Sequence, residues 1–187
     1  YDSAGVAFHE GNKFSMARET GRVKNLAEVV QKKSSSSSLG IAHTRWATHG
    51  AVTVSNTHPH TSHDGKFVLV HNGVIENFSP LKKFLKGKGI QFTSETDSEV
   101  LCNLIAFHYS ELTESKERFV DAVRLALPQC RGAYGIAVLC LDKPDVLIGA
   151  RRGSPLVVGL GDDANFIASD ASAFVGRAKE AVFLNDG

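Results

Sequence analysis

Three short polar segments in this sequence carry groups that together could bind and transform an amino acid. They are His43–Gly50, His71–Asn77 and Ser94–Glu99. Arg45 offers a guanidinium for a carboxylate, Asp97 offers a carboxylate for an ammonium, and the Asn72 amide beside the flexible Gly73 backbone offers donors for an oxyanion. Taken singly, these residues are typical of a solvated charge, a helix cap and a turn. Together they predict a site for an α-amino acid whose far end undergoes acyl transfer.

The elements around these segments are predicted to present them to a common ligand. Leu39 to Ala47 has the pattern of a strand, and Lys66 to His71 is a second strand, which the Asn72-Gly73 dipeptide is expected to end. Thr96 followed by Glu99 has the spacing of a capping box, so a helix is expected to begin near Asp97.

The rest of the chain predicts an α+β fold. Helices are expected from Ser79, as N-cap, and over Lys116 to Leu127, with a short one over Ser169 to Val175. Further strands are expected over Ile90 to Thr93, Ala133 to Leu141, Val146 to Ala150, Pro155 to Gly159, Asn165 to Ala168 and Ala181 to Leu184. The turn after Leu141 should join the strands Ala133 to Leu141 and Val146 to Ala150 as a hairpin. Strands grouped in hairpins, rather than alternating with helices, favour antiparallel sheets with helices packed outside.

Two patterns could indicate a metal or a cofactor, and neither is complete. Four histidines are closely spaced, but no nearby cysteine or carboxylate set completes a metal site: His49, His58, His60 and His63. The glycines at 159 and 161 superficially resemble a dinucleotide fingerprint, but the residues after them look extended, so a turn between strands is favoured. We therefore expect no metal and no cofactor.

Composition narrows the class of protein further. The chain has 187 residues, with 21 Lys+Arg against 20 Asp+Glu and a net charge of +1, which gives no field that would attract nucleic acid or a membrane. No apolar stretch approaches the ~20 residues of a membrane span. Three widely separated cysteines and the lack of a signal-like start are typical of a cytoplasmic protein.

Five ordered motifs resemble one known family. They are TRWATHG from Thr44, HNGVIEN from His71, SETDSE from Ser94, RGAYG from Arg131 and RRGSPL from Arg151. The sequence resembles the glutaminase (type 2 glutamine amidotransferase) domains of isomerising glutamine-fructose-6-phosphate aminotransferases. The resemblance covers residues 1–187 as one domain. It implies a four-layer αββα sandwich of the N-terminal-nucleophile hydrolase type, with two antiparallel sheets between helix layers.

The resemblance also implies the reaction and its partners. Glutamine would be hydrolysed to glutamate and ammonia, and the ammonia would convert fructose 6-phosphate to glucosamine 6-phosphate in isomerase domains that also form a homodimer. Arg45 would bind the glutamine α-carboxylate and Asp97 the α-ammonium, while the Asn72 side chain and the Gly73 N–H would form the oxyanion hole. The remaining implied residues surround or close over the substrate: Trp46, Thr48, His49 and His58.

The nucleophile is the one serious departure from the family pattern. In the family it is an N-terminal cysteine whose own α-amine is the base, whereas this chain begins with Tyr1. The opening residues resemble a segment that follows the first strand and helix, so both are expected to be missing, as are the isomerase domains. A missing interior strand is expected to leave unpaired sheet edges. We expect these 187 residues to be inactive, because Cys102, Cys130 and Cys140 lie beside no recognisable base.

Two alternatives stay open. The chain could be a non-catalytic glutamine-binding or interaction domain that begins at Tyr1. It could also belong to another type 2 amidotransferase, such as an amidophosphoribosyltransferase.

Overall fold

The computed structural model describes residues 1–31, 37–46 and 51–187. Ten strands and four α-helices are assigned within these ranges. The strands are β1 (Ser3–Glu10), β2 (Lys13–Thr20), β3 (Gly40–Arg45), β4 (His60–Thr61), β5 (Phe67–Ile75), β6 (Gly132–Cys140), β7 (Lys143–Arg152), β8 (Val157–Leu160), β9 (Asn165–Ala168) and β10 (Glu180–Phe183). The helices are α1 (Val23–Gln31), α2 (Phe78–Gly87), α3 (Asp97–Glu111) and α4 (Arg118–Ala126), with 3₁₀ turns at Leu127–Gln129 and Ala171–Phe174.

The strands form three antiparallel sheets. Sheet A has the order β2-β1-β3, sheet B has the order β4-β5-β6-β7, and sheet C has the order β10-β8-β9. Within the described residues, β3 and β9 are each paired along one edge only.

Alternation along the strands creates the layers. In β5, Phe67 and Leu69 pack against the helices α2 to α4, while Val68 and Val70 pack against sheet A, because successive side chains point to opposite faces. On the far side of sheet A, Leu26 of α1 packs against Ala4 of β1. The order α1, sheet A, sheet B, α2–α4 confirms the expected αββα sandwich.

Most predicted elements are confirmed, including the start of α3 at Asp97, where the Thr96 hydroxyl accepts a hydrogen bond from the Glu99 N–H. The β6–β7 hairpin is also confirmed, and the glycine at 161 lies in the turn between the antiparallel strands β8 and β9. The helix α2 begins at Phe78 with Asn77 as N-cap, rather than with Ser79 as N-cap.

Two further predicted features are wrong. The strand β5 does not end at Asn72-Gly73 but continues to Ile75, with Gly73 opposite Tyr134 of β6. Gly73 has a φ of 140°, and a Cβ there would collide with the Ala133 carbonyl oxygen, so this glycine permits a close strand pair rather than a turn.

Residues 90–93 form no strand, because they lead directly into the start of α3. The Glu99 carboxylate accepts hydrogen bonds from the Thr93 and Ser94 N–H groups, both at 2.7 Å. These backbone donors are therefore used at the helix cap. Within the described ranges, no helix has the length and apolar character needed to cross a membrane.

Candidate active site

A cavity of about 270 Å³ lies where β3, β5 and the start of α3 meet. It brings together the three segments selected from the sequence. The residues that line it are Tyr1, His43, Thr44, Arg45, Trp46, His58, His71, Asn72, Gly73, Val74, Thr96, Asp97 and Ser98.

Arg45 supplies the positive charge of this cavity. It is the last residue of β3 and only 4% exposed. Its Nη1 atom lies 3.4 Å from the Ala51 carbonyl oxygen and 3.9 Å from the Asp2 carboxylate. A largely dehydrated guanidinium held in this way can pair strongly with a carboxylate that enters the cavity.

Asp97 supplies the negative charge. It is the first residue of α3, where the helix dipole and free N–H groups favour a carboxylate. Its Oδ2 atom accepts a hydrogen bond of 2.7 Å from the Ile75 N–H, which fixes the carboxylate against the end of β5. The carboxylate is therefore placed to receive an ammonium group.

Asn72 and Gly73 lie on β5 between these charges. The N–H groups of His71 and Ile75 both point away from β6, the first to His58 Nδ1 and the second to Asp97. Because strand residues alternate in direction, the Gly73 N–H points to the same edge, which borders the cavity. This amide and the Asn72 side chain can act as a pair of oxyanion donors.

Stacked imidazoles form one wall of the cavity. The His43 and His58 rings are stacked with centroids 4.3 Å apart, and His60 meets His58 edge-on at 4.8 Å. His58 Nδ1 accepts a 3.3 Å hydrogen bond from the His71 N–H, so the proton of a neutral His58 ring lies on Nε2.

Burial keeps these imidazoles uncharged. It lowers the pKa of His43 to about 4 and that of His60 to about 3, and it lowers the pKa of His58 well below its usual value. The nearby Arg45 charge lowers all three pKa values further. Neutral rings can pack beside the Arg45 guanidinium without adding positive charge to the site.

Two of the histidines in this region are bonded to protein side chains. His60 Nε2 lies 3.0 Å from the Thr96 hydroxyl, and His63 Nδ1 lies 3.1 Å from the Asn103 side-chain oxygen. Among residues 1–31, 37–46 and 51–187, no three His, Cys, Asp or Glu side chains come close enough to hold a metal ion.

The three cysteines are buried elsewhere, and in the described part of the chain none lines the cavity. Burial raises the pKa of Cys130 and Cys140 to about 11 and that of Cys102 well above its usual value. These residues are therefore protonated thiols at neutral pH, not activated nucleophiles.

The structure brings most of the predicted site residues to this one cavity. Trp46 lines it with 76% of its surface exposed, and His58 lies in the histidine wall. Thr48 and His49 lie outside the described residues.

Sequence reasoning gave no role in the site to several residues that line the cavity, among them His43, His71 and Ser98. The signal for His43 was its position two residues before Arg45 on a strand, which puts both on one face. His71 directly precedes Asn72, and its Nδ1 lies 3.0 Å from the Ser98 hydroxyl and 3.8 Å from the Asp97 carboxylate.

Comparison with known sequences places this geometry in a family. The profile of the class-II glutamine amidotransferases matches residues 1–158. Glutamine–fructose-6-phosphate aminotransferases (isomerizing) are similar over the whole chain: 44% identical in Caldanaerobacter subterraneus, 46% in Neisseria meningitidis serogroup B and 47% in Acinetobacter baylyi. The chain spans about 30% of the length of these relatives.

Comparison with solved structures supports the same assignment. Glutamine phosphoribosylpyrophosphate amidotransferase from B. subtilis, complexed with ADP and GMP, matches with a TM-score of 0.75 at 26% identity. The match covers 98% of this chain and 38% of that one. A predicted glutamine amidotransferase from Pseudomonas aeruginosa shares the fold, with a TM-score of 0.68 at 19% identity over 99% of this chain and 82% of that one. The chain therefore belongs to the class-II glutamine amidotransferases.

Proposed function

We propose that the cavity binds glutamine, with its α-carboxylate on Arg45, its α-ammonium on Asp97 and its side-chain carbonyl directed to Asn72 and Gly73. The observation that carries this proposal is the placement of both charges and both amide donors around one cavity of about 270 Å³. Trp46, Thr48 and His49 would cover the bound substrate, and His58 would support the wall behind it. The sequence similarity to glutamine-dependent enzymes supports the choice of substrate.

The proposed reaction is acyl transfer through a thioester. A cysteine thiolate forms a bond to the side-chain carbonyl carbon, and the displaced electron pair resides on the oxygen. The Asn72 amide and the Gly73 N–H donate hydrogen bonds to this oxyanion. Collapse of the intermediate breaks the C–N bond, and the leaving nitrogen takes a proton and departs as ammonia. Water then hydrolyses the thioester to glutamate.

We further propose that the nucleophile comes from a strand outside the 187 residues. A groove of about 440 Å³ runs beside the cavity, between residues 40–44 of β3 and the segment 165–169, which contains β9. Its floor includes Val70 and Ala137 of sheet B, and it shares His43 and Asn72 with the cavity.

An extended strand in this groove would pair with the open edges of β3 and β9 and would end at Asn72. The proposal predicts that the 187 residues bind glutamine without hydrolysing it. It treats residues 1–187 as one glutaminase domain that lacks its first strand and helix.

In the complete protein, we propose that the ammonia converts fructose 6-phosphate to glucosamine 6-phosphate. The names of the similar enzymes support this acceptor, and their greater length leaves room for isomerase domains and for a homodimer contact. Free cysteines throughout the described residues support a cytoplasmic location.

Calorimetric titration of the 187-residue protein with glutamine tests the substrate assignment. Arg45→Ala and Asp97→Asn should each weaken glutamine binding about 30-fold, while ammonia release should equal the buffer blank. The matched controls are Arg124→Ala and Asp121→Asn, an exposed ion pair on α4 with a 3.5 Å separation. Binding that neither cavity substitution weakens would contradict the proposed pose, and turnover by the 187 residues would contradict the external nucleophile.

A further inference from the structure

Asn56 joins two loops beside the cavity. It is 1% exposed, and each polar atom of its side chain is bonded. Its Nδ2 donates to the Ala51 carbonyl oxygen at 3.0 Å and to Glu95 Oε2 at 3.2 Å, while its Oδ1 accepts from the Glu95 N–H at 3.0 Å. One buried amide therefore fixes the segment that begins at Ala51 against the segment that contains Glu95.

Each of these loops leads to one of the charged groups of the cavity. The Ala51 carbonyl oxygen also accepts from Arg45 Nη1 at 3.4 Å, and the Ala51 N–H donates to Glu95 Oε2 at 3.4 Å. Glu95 lies two residues before Asp97. A continuous series of contacts thus connects the Arg45 guanidinium through Asn56 to the Asp97 carboxylate.

The start of α3 does not depend on these contacts. The Glu99 carboxylate already binds the Thr93 and Ser94 N–H groups, and the Thr96 hydroxyl caps the helix. Glu95 itself is exposed. The Asn56–Glu95 bonds are consequently not needed to form the start of α3. Their effect is to fix the position of the two loops relative to each other.

We propose that Asn56 and Glu95 are positioning residues, which set the separation of the Arg45 and Asp97 charges to that of the carboxylate and ammonium of one amino acid. This inference rests on the proposed function. A ligand that contacts both charges binds more tightly when their separation is fixed, because the second contact then requires no further ordering of the loops. A ligand that contacts only one charge gains no affinity from the fixed separation.

The test compares three ligands by their affinity for the 187-residue protein. They are glutamine, 5-amino-5-oxopentanoate, which lacks the α-ammonium, and 4-aminobutanamide, which lacks the α-carboxylate. Asn56→Ala should weaken glutamine binding about tenfold and binding of each single-ended ligand less than about twofold, given the net strength of the lost bonds. Glu95→Ala, at an exposed position, should show the same selectivity.

Conservative replacement and a matched control separate positioning from general stability. Glu95→Gln keeps an acceptor oxygen at the Oε2 position and should bind all three ligands like the unaltered protein. Asn103 is also fully buried and joins two segments, accepting from the His63 N–H at 2.8 Å and donating to the Glu99 carbonyl at 3.1 Å. Asn103→Ala should leave the ratio of the three affinities unchanged.

The possible results distinguish the two proposals. If the unaltered protein binds no glutamine, the proposed function fails. If it binds glutamine but Asn56→Ala weakens all three ligands equally, or none, the positioning role is wrong. A Glu95→Gln variant as weak as Glu95→Ala would likewise overturn positioning in favour of a role for the Glu95 charge.

Discussion

The two sides of the cavity are built from very different parts of the molecule. Asn72, Gly73 and Asp97 belong to β5 and α3, which lie in the large buried core between sheet B and the helices. Arg45 lies at the end of β3, whose sheet shares a smaller buried cluster with sheet B beside an open groove. The proposed oxyanion donors and ammonium site therefore lie on elements that are anchored in the core, although the Asn72 side chain itself is exposed. The carboxylate site depends on a thinner layer and on loop contacts.

The largest expected difference between these regions is in packing. Ile105→Ala in α3 should lower the free energy of unfolding by about 4 kcal/mol, because it leaves a void in a fully buried cluster. Ile41→Ala in β3 removes the same atoms next to the groove, where fewer neighbours are lost, and should cost about 2 kcal/mol. Urea unfolding at pH 7 measures both. Equal losses would show that the two layers do not differ in packing.

Catalysis should depend on the core side. In the protein expressed from its complete reading frame, Asn72→Ala should lower the turnover number about 10² to 10³-fold with little change in KM, because an oxyanion donor acts on charge that develops in the transition state. Asn77→Ala is the matched control, since this amide binds the Gln129 carbonyl and the Arg131 N–H outside the cavity. A change in KM alone would assign Asn72 to ground-state binding instead.

Binding should depend on the sheet A side. Arg45→Ala should raise KM for glutamine about 30-fold and change the turnover number little, since a carboxylate contact is present in both the ground and transition states. Arg45→Lys should recover part of this loss, because one charge remains but the planar fork is lost. Steady-state glutaminase assays provide the values, and an effect confined to turnover would reverse the proposed roles.

The smallest expected effect, counted per histidine and per pH unit, is the loss of unfolding free energy when the imidazoles of His43, His58 and His60 meet acid. Above pH 6.5, neither the folded nor the unfolded state protonates His43, so it contributes no pH dependence. Between pH 6.5 and about 4, the unfolded state binds a proton that the folded state does not, because burial has lowered the pKa of His43. Each such histidine should then reduce the free energy of unfolding by about 1.4 kcal/mol per pH unit.

Urea midpoints measured from pH 7.5 to pH 4.5 give the number of protons involved. His58 and His60 should add to the slope, since burial lowers their pKa values in the same direction. His43→Gln should remove about one proton from it. A stability that stays constant down to pH 5 would show that these imidazoles are not held neutral.

Sequence reasoning succeeded where the signal was local or chemical. The cap of the Glu99 N–H by the Thr96 hydroxyl is a contact within one helical turn, so the spacing of these residues alone predicted the start of α3. The Asn72-Gly73 dipeptide was misinterpreted, because Gly73 is required by the close approach of the Ala133 backbone, which lies 60 positions along the chain. The local sequence pattern contains no information about a partner this distant.

The same reasoning explains what was missed at the site. The histidine wall depends on the packing of His43 against His58, which belong to separate segments, and a single histidine has no spacing that reveals this. The bonds between Asn56 and Glu95 are similarly invisible in the sequence. In contrast, Arg45 and Asp97 could be selected because their opposite charges match the two charged groups of an amino acid.

The unbroken pairing of β5 with β6 has a consequence for hydrogen exchange. Every residue from Phe67 to Ile75 has a partner on β6, including Asn72 and Gly73. Deuterium should enter the β5 amides bonded to β6 only when this central ladder opens, at rates set by global unfolding. The proposed backbone donor, the Gly73 N–H, would then keep the same geometry in the empty and the occupied site, and no part of the reaction barrier would come from arranging it.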